Sequence, residues 1–156
     1  MTSDKVDKRF IELLAEEGNG AVEAYLPEGE PLRIVMIGPI KTWWGRLHTP
    51  AYDLYNEWRN AVRVAMVREG HLVYSPHRAW QGAWHESAQT VNNMAIIESE
   101  VVVVLTPPEV PSVGTDAEIE VARHNGVDII FAPPGEDRHI TSLVKELDAL
   151  KTFLRS

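Results

Sequence analysis

The sequence predicts a doubly wound α/β domain, and three observations carry that prediction. Past residue 31, stretches of strand and helix character alternate regularly. The strand stretches are nearly all apolar, as in Arg33-Ile34-Val35-Met36-Ile37 and Val101-Val102-Val103-Val104-Leu105, which is the pattern of parallel strands covered on both faces. Proline and glycine punctuate them, at Gly38-Pro39, in the proline-rich turn after Leu105 and at Pro133-Pro134-Gly135. Right-handed crossovers then give a flavodoxin/Rossmann-like parallel sheet with helices on both faces. Residues 1–31 read as an N-terminal helical arm, and 32–156 as the α/β domain.

Each element has a local cause. Residues 4–17 put Phe10, Leu13 and Leu14 on one helical side, and Gly18-Asn19-Gly20 can end that helix. After the strand at 33–37 and a loop of bulky residues from Ile40 to Thr49, Pro50 can start a helix to about Glu69. Leu54, Trp58, Ala61 and Ala65 form its expected core-facing stripe, and Gly70 stops it. His71 to Tyr74 reads as a short strand, 75–84 as a loop, 87–98 as a helix and 100–105 as the most hydrophobic strand. A helix from Asp116 to His124, a turn at Asn125-Gly126 and a strand at 127–131 follow. The last helix carries the stripe Ile140, Leu143, Val144, Leu147, Leu150 and Leu154.

Composition narrows the function. A hydrophobic share of 44% in 156 residues suffices for one core without staples. The absence of cysteine removes disulfides and thiolate metal sites and suits a cytoplasmic protein. The charged N-terminus lacks a signal-type apolar stretch, and no run approaches the ~20 apolar residues of a membrane span. A net charge of -8 argues against a nucleic-acid polymer as partner, since a phosphate backbone needs a basic face. A small anion held by local groups remains open.

In such folds ligands bind beyond the carboxyl ends of the strands. Three loops are expected there: 38–49, 75–86 and 106–115. The third leads into Ser112-Val113-Gly114-Thr115-Asp116-Ala117-Glu118, where a helix N-terminus would present backbone N–H groups beside a carboxylate. The same letters spell a capping box, with Thr115 as N-cap and Glu118 folding back onto it. The first loop offers Gly38 for close approach, Lys41 as a point charge and Trp43-Trp44 as stacking faces, or as packing against the arm or a second subunit. It lacks the glycines of a dinucleotide fingerprint and is not a P-loop. His77-Arg78 follows the second strand, either orienting a ligand or standing in solvent. Glu98 and Glu100 are expected at the opposite, amino end of the sheet as solvated charges, whereas Asn92-Asn93 can face the pocket. The histidines show no metal-ligand spacing, and no serine-hydrolase elbow is present.

Four pieces, in this order and spacing, resemble the nucleoside 2-deoxyribosyltransferase superfamily. They are Ile37-Gly38-Pro39-Ile40-Lys41, Tyr74-Ser75-Pro76-His77-Arg78, the strand at 100–105, and Ser112 to Glu118 with Ala122. The similar branch is that of the nucleoside 5′-monophosphate N-glycosidases, the deoxynucleotide and cytidylate hydrolases. The resemblance implies that Glu118 is the nucleophile at C1′ and that Ser112, Gly114, Thr115 and Lys41 hold a 5′-phosphate. Gly38, Pro39, Ile40, Trp43, His77 and Asn92 would then contact base and sugar. Transferases of the superfamily tend to carry aspartate where Ser112 stands; a hydroxyl can donate to a phosphate that a carboxylate would repel. Where the family commonly has an aspartate near the base, Asn92 aligns, and an amide cannot supply a proton to the leaving group. The resemblance further implies no cofactor, a small-molecule nucleotide substrate, and a homodimer or higher homo-oligomer with a shared pocket, to which Thr141 or Ser142 could contribute. The expected activity is hydrolysis of the N-glycosidic bond of a nucleoside 5′-monophosphate. The alternatives are 2-deoxyribosyl transfer and a non-catalytic nucleotide-binding module.

Overall fold

The computed structural model describes residues 22–24, 29–39, 46–76, 86–106, 112–134 and 139–156. The expected helix over 4–17 lies outside them, as do Ile40, Lys41, Trp43 and His77. Within them the chain forms a mixed α/β fold of five strands and four helices. Their order is β1 (Val22–Glu23), β2 (Arg33–Ile37), α1 (Pro50–Arg68), β3 (Leu72–Tyr74), α2 (Glu86–Glu98), β4 (Val101–Val104), α3 (Val113–His124), β5 (Asp128–Phe131) and α4 (Ile140–Arg155).

The strands lie in the order β1-β3-β2-β4-β5. β2, β3, β4 and β5 run parallel, with Val35 opposite Tyr74 on one side and Val102 on the other, and Val102 in turn opposite Ile129. The chain thus leaves β2 toward β3, then crosses back to β4 on the other side of β2. Val22 and Glu23, placed in the arm by sequence, pair antiparallel with β3 and extend the sheet edge. Two residues give no periodic signal, so only the pairing reveals this strand.

Successive strand residues point to opposite faces, and the core divides accordingly. Ile34, Met36, Val73, Val101, Val103 and Ile130 join one buried cluster, which includes Tyr55, Val62 and Met66 of α1 and Leu143 and Leu147 of α4. Val35, Ile37, Leu72, Tyr74, Val102 and Val104 join the other, with Val91, Ala95 and Ile96 of α2 and Ala122 of α3. β2 and β4 are buried along their apolar length, which is why they carry no polar alternation.

The expected stripe of α1 is corrected by one residue. Leu54 is 48% exposed, and the buried positions are Tyr55, Val62, Met66 and Val67. This rotation buries larger side chains than the two alanines and lets Trp58 Nε1 donate to the Ala132 carbonyl at 2.6 Å. Thr49 caps the helix, with Pro50 in its first turn, and Gly70 takes the positive φ of 87° that the stop requires.

Glu100 is also corrected. It stands at the amino end of the sheet as expected, but it is a paired charge rather than a solvated one. Its carboxylate receives both Nη groups of Arg155 and the backbone N–H of Arg33. Burial opposes its ionisation, but the Arg155 hydrogen bonds and the nearby Arg33 charge outweigh it and hold the carboxyl below its usual range. Arg155 also donates to the Pro31 carbonyl, so this cluster ties the end of α4 to the chain entering β2.

Candidate active site

Glu118 lies on α3, and its residue surface is only 5% exposed. The helix starts three residues earlier than predicted, at Val113 rather than Asp116. Ser112 is the N-cap: its Oγ accepts the Thr115 N–H at 3.2 Å and donates to Thr115 Oγ1 at 2.8 Å. The expected Thr115–Glu118 capping box is therefore not formed. Thr115 is already helical and buried, and Glu118 belongs to the second turn, one turn too far to reach back to the cap. Serine caps as well as threonine does, and the earlier start turns Thr115 and Glu118 inward.

An amide of α2 meets the carboxylate. Gln89 Nε2 donates to Glu118 Oε2 at 3.2 Å and to Asn93 Oδ1 at 2.9 Å. Asn92, 1% exposed, lies near the Glu118 carboxyl, and its Oδ1 accepts from the Tyr74 hydroxyl at 3.0 Å. Burial pushes the Glu118 carboxyl up to about 7, against the lowering effect of the Gln89 hydrogen bond and of Asn92 nearby. The helix terminus does not offset this rise. At the second turn the dipole field has faded, and desolvation dominates.

The remaining neighbours come from the ends of the parallel strands. Gly38 directly follows β2, and a Cβ there would lie 2.4 Å from the Tyr55 hydroxyl. Gly38 is therefore required first by a protein side chain. Tyr55 is fully buried, and burial first, with the Glu118 charge, raises its hydroxyl pKa; Arg59, one turn on in α1, opposes this. Ser75 follows β3 and Thr106 follows Leu105 beyond β4. Ser75 Oγ and Thr106 Oγ1 are buried and have no hydrogen-bond partner among the described residues.

Of the predicted site residues, Glu118, Asn92, Thr115 and Gly38 are buried in this region, and Pro39 is buried beside Gly38. Half-buried Ser112 and exposed Gly114 form the start of α3, where the N–H groups of Val113 and Gly114 point out of the helix. A Cβ on Gly114 would approach Gln89 Oε1 to 4.0 Å, so the helix start and the amide pair adjoin. Lys41, Ile40, Trp43 and His77 lie outside the described residues. Thr141 and Ser142 are exposed at the start of α4. Gln89, Tyr74, Tyr55, Ser75 and Thr106 were missed as site residues. The spacing of Gln89 and Asn92, one helical turn apart, was a signal for the first; the tyrosines and hydroxyls gave none beyond their place in strand-end motifs. Among the described residues no group of three or more His, Cys, Asp or Glu gathers as a metal site, and no helix is long and apolar enough to cross a membrane. No family model, curated protein or solved structure matches the chain.

Proposed function

We propose that this protein hydrolyses the N-glycosidic bond of a nucleoside 5′-monophosphate, with Glu118 as the nucleophile, on a doubly wound flavodoxin-like sheet. The observation that carries the proposal is a carboxylate, the one buried among the described residues, at the carboxyl edge of parallel strands, held by the Gln89 amide, beside a helix start with outward N–H groups. The four motif pieces that resemble the nucleoside 5′-monophosphate N-glycosidases support the same reading.

In this mechanism the ionised Glu118 attacks C1′, and the C1′–N bond breaks with its electron pair leaving on the base. The base takes a proton from solvent, because Asn92 has none to give. Water then attacks C1′ of the glycosyl ester, loses a proton to solvent as the carboxylate departs, and yields the sugar 5-phosphate with net retention. The N–H groups of Val113 and Gly114 receive the phosphate, with Lys41 as counter-charge. Ser75 and Thr106 offer hydroxyls to the sugar or base. The reaction belongs to the cytoplasm, in a homo-oligomer whose subunits share the pocket.

The test is a screen of common and 5-substituted nucleoside monophosphates for free base, read by chromatography, with Glu118→Gln as control. Release by the wild type and loss of at least about a thousandfold in the variant is expected, since the nucleophile is removed. Base exchange on unphosphorylated deoxynucleosides, with none from monophosphates, would assign transfer instead. Tight binding without base release would assign a binding module.

A further inference from the structure

The amide that meets Glu118 is itself held in place. Gln89 and Asn93 lie four residues apart on α2, so they share one helical face. Gln89 Nε2 donates to Asn93 Oδ1 at 2.9 Å and to Glu118 Oε2 at 3.2 Å. The two hydrogens of an amide nitrogen point in different directions within one plane. Committing one of them to Asn93 therefore sets the plane in which the other reaches Glu118. The opposite end of the amide, Oε1, adjoins the start of α3, where a Cβ on Gly114 would lie 4.0 Å from it. Turned round, Gln89 would set its oxygen against the ionised carboxylate, whichever way Asn93 stood. One orientation of the Gln89 amide is thus favoured, and it places a donor on one named oxygen of Glu118.

We propose that Gln89, locked by Asn93, is the positioning residue for Glu118: it holds Oε2 against α2 and leaves Oε1 as the oxygen that attacks C1′. Neither amide touches the reacting atoms. The clamp rests on Glu118 being the nucleophile of the reaction proposed above. In the first step Oε1 bonds to C1′ as the C1′–N pair leaves on the base, and Oε2 becomes the ester carbonyl. In the second step water displaces Oε1, and the returning negative charge is shared with Oε2. The Gln89 N–H already stands where that charge develops, so it assists departure as well as aim. The titratable groups nearby leave this donor in place. From α1 comes Tyr55, a buried phenol whose hydroxyl lies at Gly38, with Arg59 one turn on. On α3 itself, Asp116 and Glu120 are exposed.

The test reads the carboxyl and the rate separately. Gln89→Met keeps the length of the side chain and removes its donor. In protein carrying 13C-labelled glutamate, the Glu118 carboxyl is assigned by its loss in Glu118→Gln and titrated by NMR. The wild type is expected to titrate near 7. Gln89→Met should raise that midpoint by about one unit, because a donor to the charged form is lost. Asn93→Leu, which keeps the donor but frees its plane, should raise it by about half a unit. In the wild type, the Gln89 side-chain NH2 resonances should move with the same midpoint, a measurement that needs no variant. On a nucleoside monophosphate at about pH 9, where Glu118 is ionised in every form, Gln89→Met should lower kcat about tenfold and leave KM within about twofold. A merely structural glutamine would lower the melting temperature and leave the midpoint and this kcat in place. The clamp is overturned if the NH2 signals ignore the Glu118 transition, or if folded Gln89→Met keeps the midpoint within about 0.2 unit of wild type. An unchanged kcat at that pH overturns it too. Movement of the titration without any base release by the wild type would retain the hold on the carboxylate and remove the proposed reaction.

Discussion

At the scale of single residues, the burial of Glu118 decides most of the site's behaviour. An exposed glutamate would be ionised throughout the neutral range; this one is pushed up to about 7 because water is excluded from it. The proposed nucleophile is the ionised form, so kcat/KM should rise with pH through about 7 and level above it. A pH–rate profile flat from 5.5 to 8 would remove Glu118 as the group that must ionise. Gly38 supports a second residue-scale prediction. The Tyr55 hydroxyl already occupies the space of a Cβ at that position. Gly38→Ala should therefore lose about 1–3 kcal/mol, the usual cost of overpacking. Adding Tyr55→Phe, which removes the clashing oxygen, should return part of it. Urea denaturation of the two single variants and the double variant measures this coupling, and strict additivity would show that the contact does not set the cost.

At the scale of elements, the start of α3 and the end of α4 are held by different physics. The α3 start depends on one hydroxyl, since Ser112 Oγ accepts the Thr115 N–H. Ser112→Ala should cost about 1 kcal/mol through loss of the cap. It should also raise KM for a monophosphate more than it changes kcat, because the exposed helix start is the proposed phosphate site. Equal loss in both parameters would place Ser112 outside phosphate binding. The α4 end depends on charge: Arg155 reaches Glu100 with both Nη groups, and their side chains are 21% and 14% exposed. Arg155→Met should cost about 2 kcal/mol, mainly by leaving the half-buried Glu100 carboxylate with Arg33 as its partner among the described residues. The cost should shrink at low pH as Glu100 takes a proton, which thermal melts at pH 3.5 and 7 would compare.

At the scale of the whole molecule, two buried groups at opposite ends of the sheet shape stability against pH in opposite senses. His71 lies at the amino end, where its Nδ1 accepts the Leu32 N–H at 3.4 Å. Burial first, and then the Lys151 charge, lower it to about 4. The unfolded chain protonates this group near 6.5 while the folded one resists, so stability falls as pH drops from about 6.5 toward 4. Glu118 does the reverse. Its folded value lies above the unfolded 4.5, so the protonated form favours folding, and that contribution is lost as pH rises through about 7. Each shift corresponds to roughly 3 kcal/mol. Between about pH 4.5 and 6.5 the two slopes oppose each other, so thermal melts from pH 4 to 9 should show a shallow wild-type profile. Glu118→Gln should expose stability rising with pH, and His71→Gln stability falling with pH through about 7. A variant whose profile keeps the wild-type slope in this window would show that the group it removes does not contribute.

Much of this molecule was legible in residue pattern. The apolar runs at β2 and β4 declared strands buried on both faces, and Pro50, Gly70 and Gly126 marked helix and turn boundaries, because these signals act within a few residues. Glu118 and Asn92 were legible as candidates from their place in the strand–loop–helix order. What the sequence determined by itself was therefore the alternation of elements, the parallel character of the central strands, and the region where chemistry-bearing side chains gather. Tertiary structure alone decided four things: that Val22–Glu23 pairs with β3, that α1 rotates to bury Tyr55, that Ser112 rather than Thr115 caps α3, and that Glu100 is paired. It also decided that Glu118 faces the Gln89 amide instead of solvent. Each depends on which groups meet across large sequence separation, where burial and pairing outweigh the local preferences that a chain pattern can express.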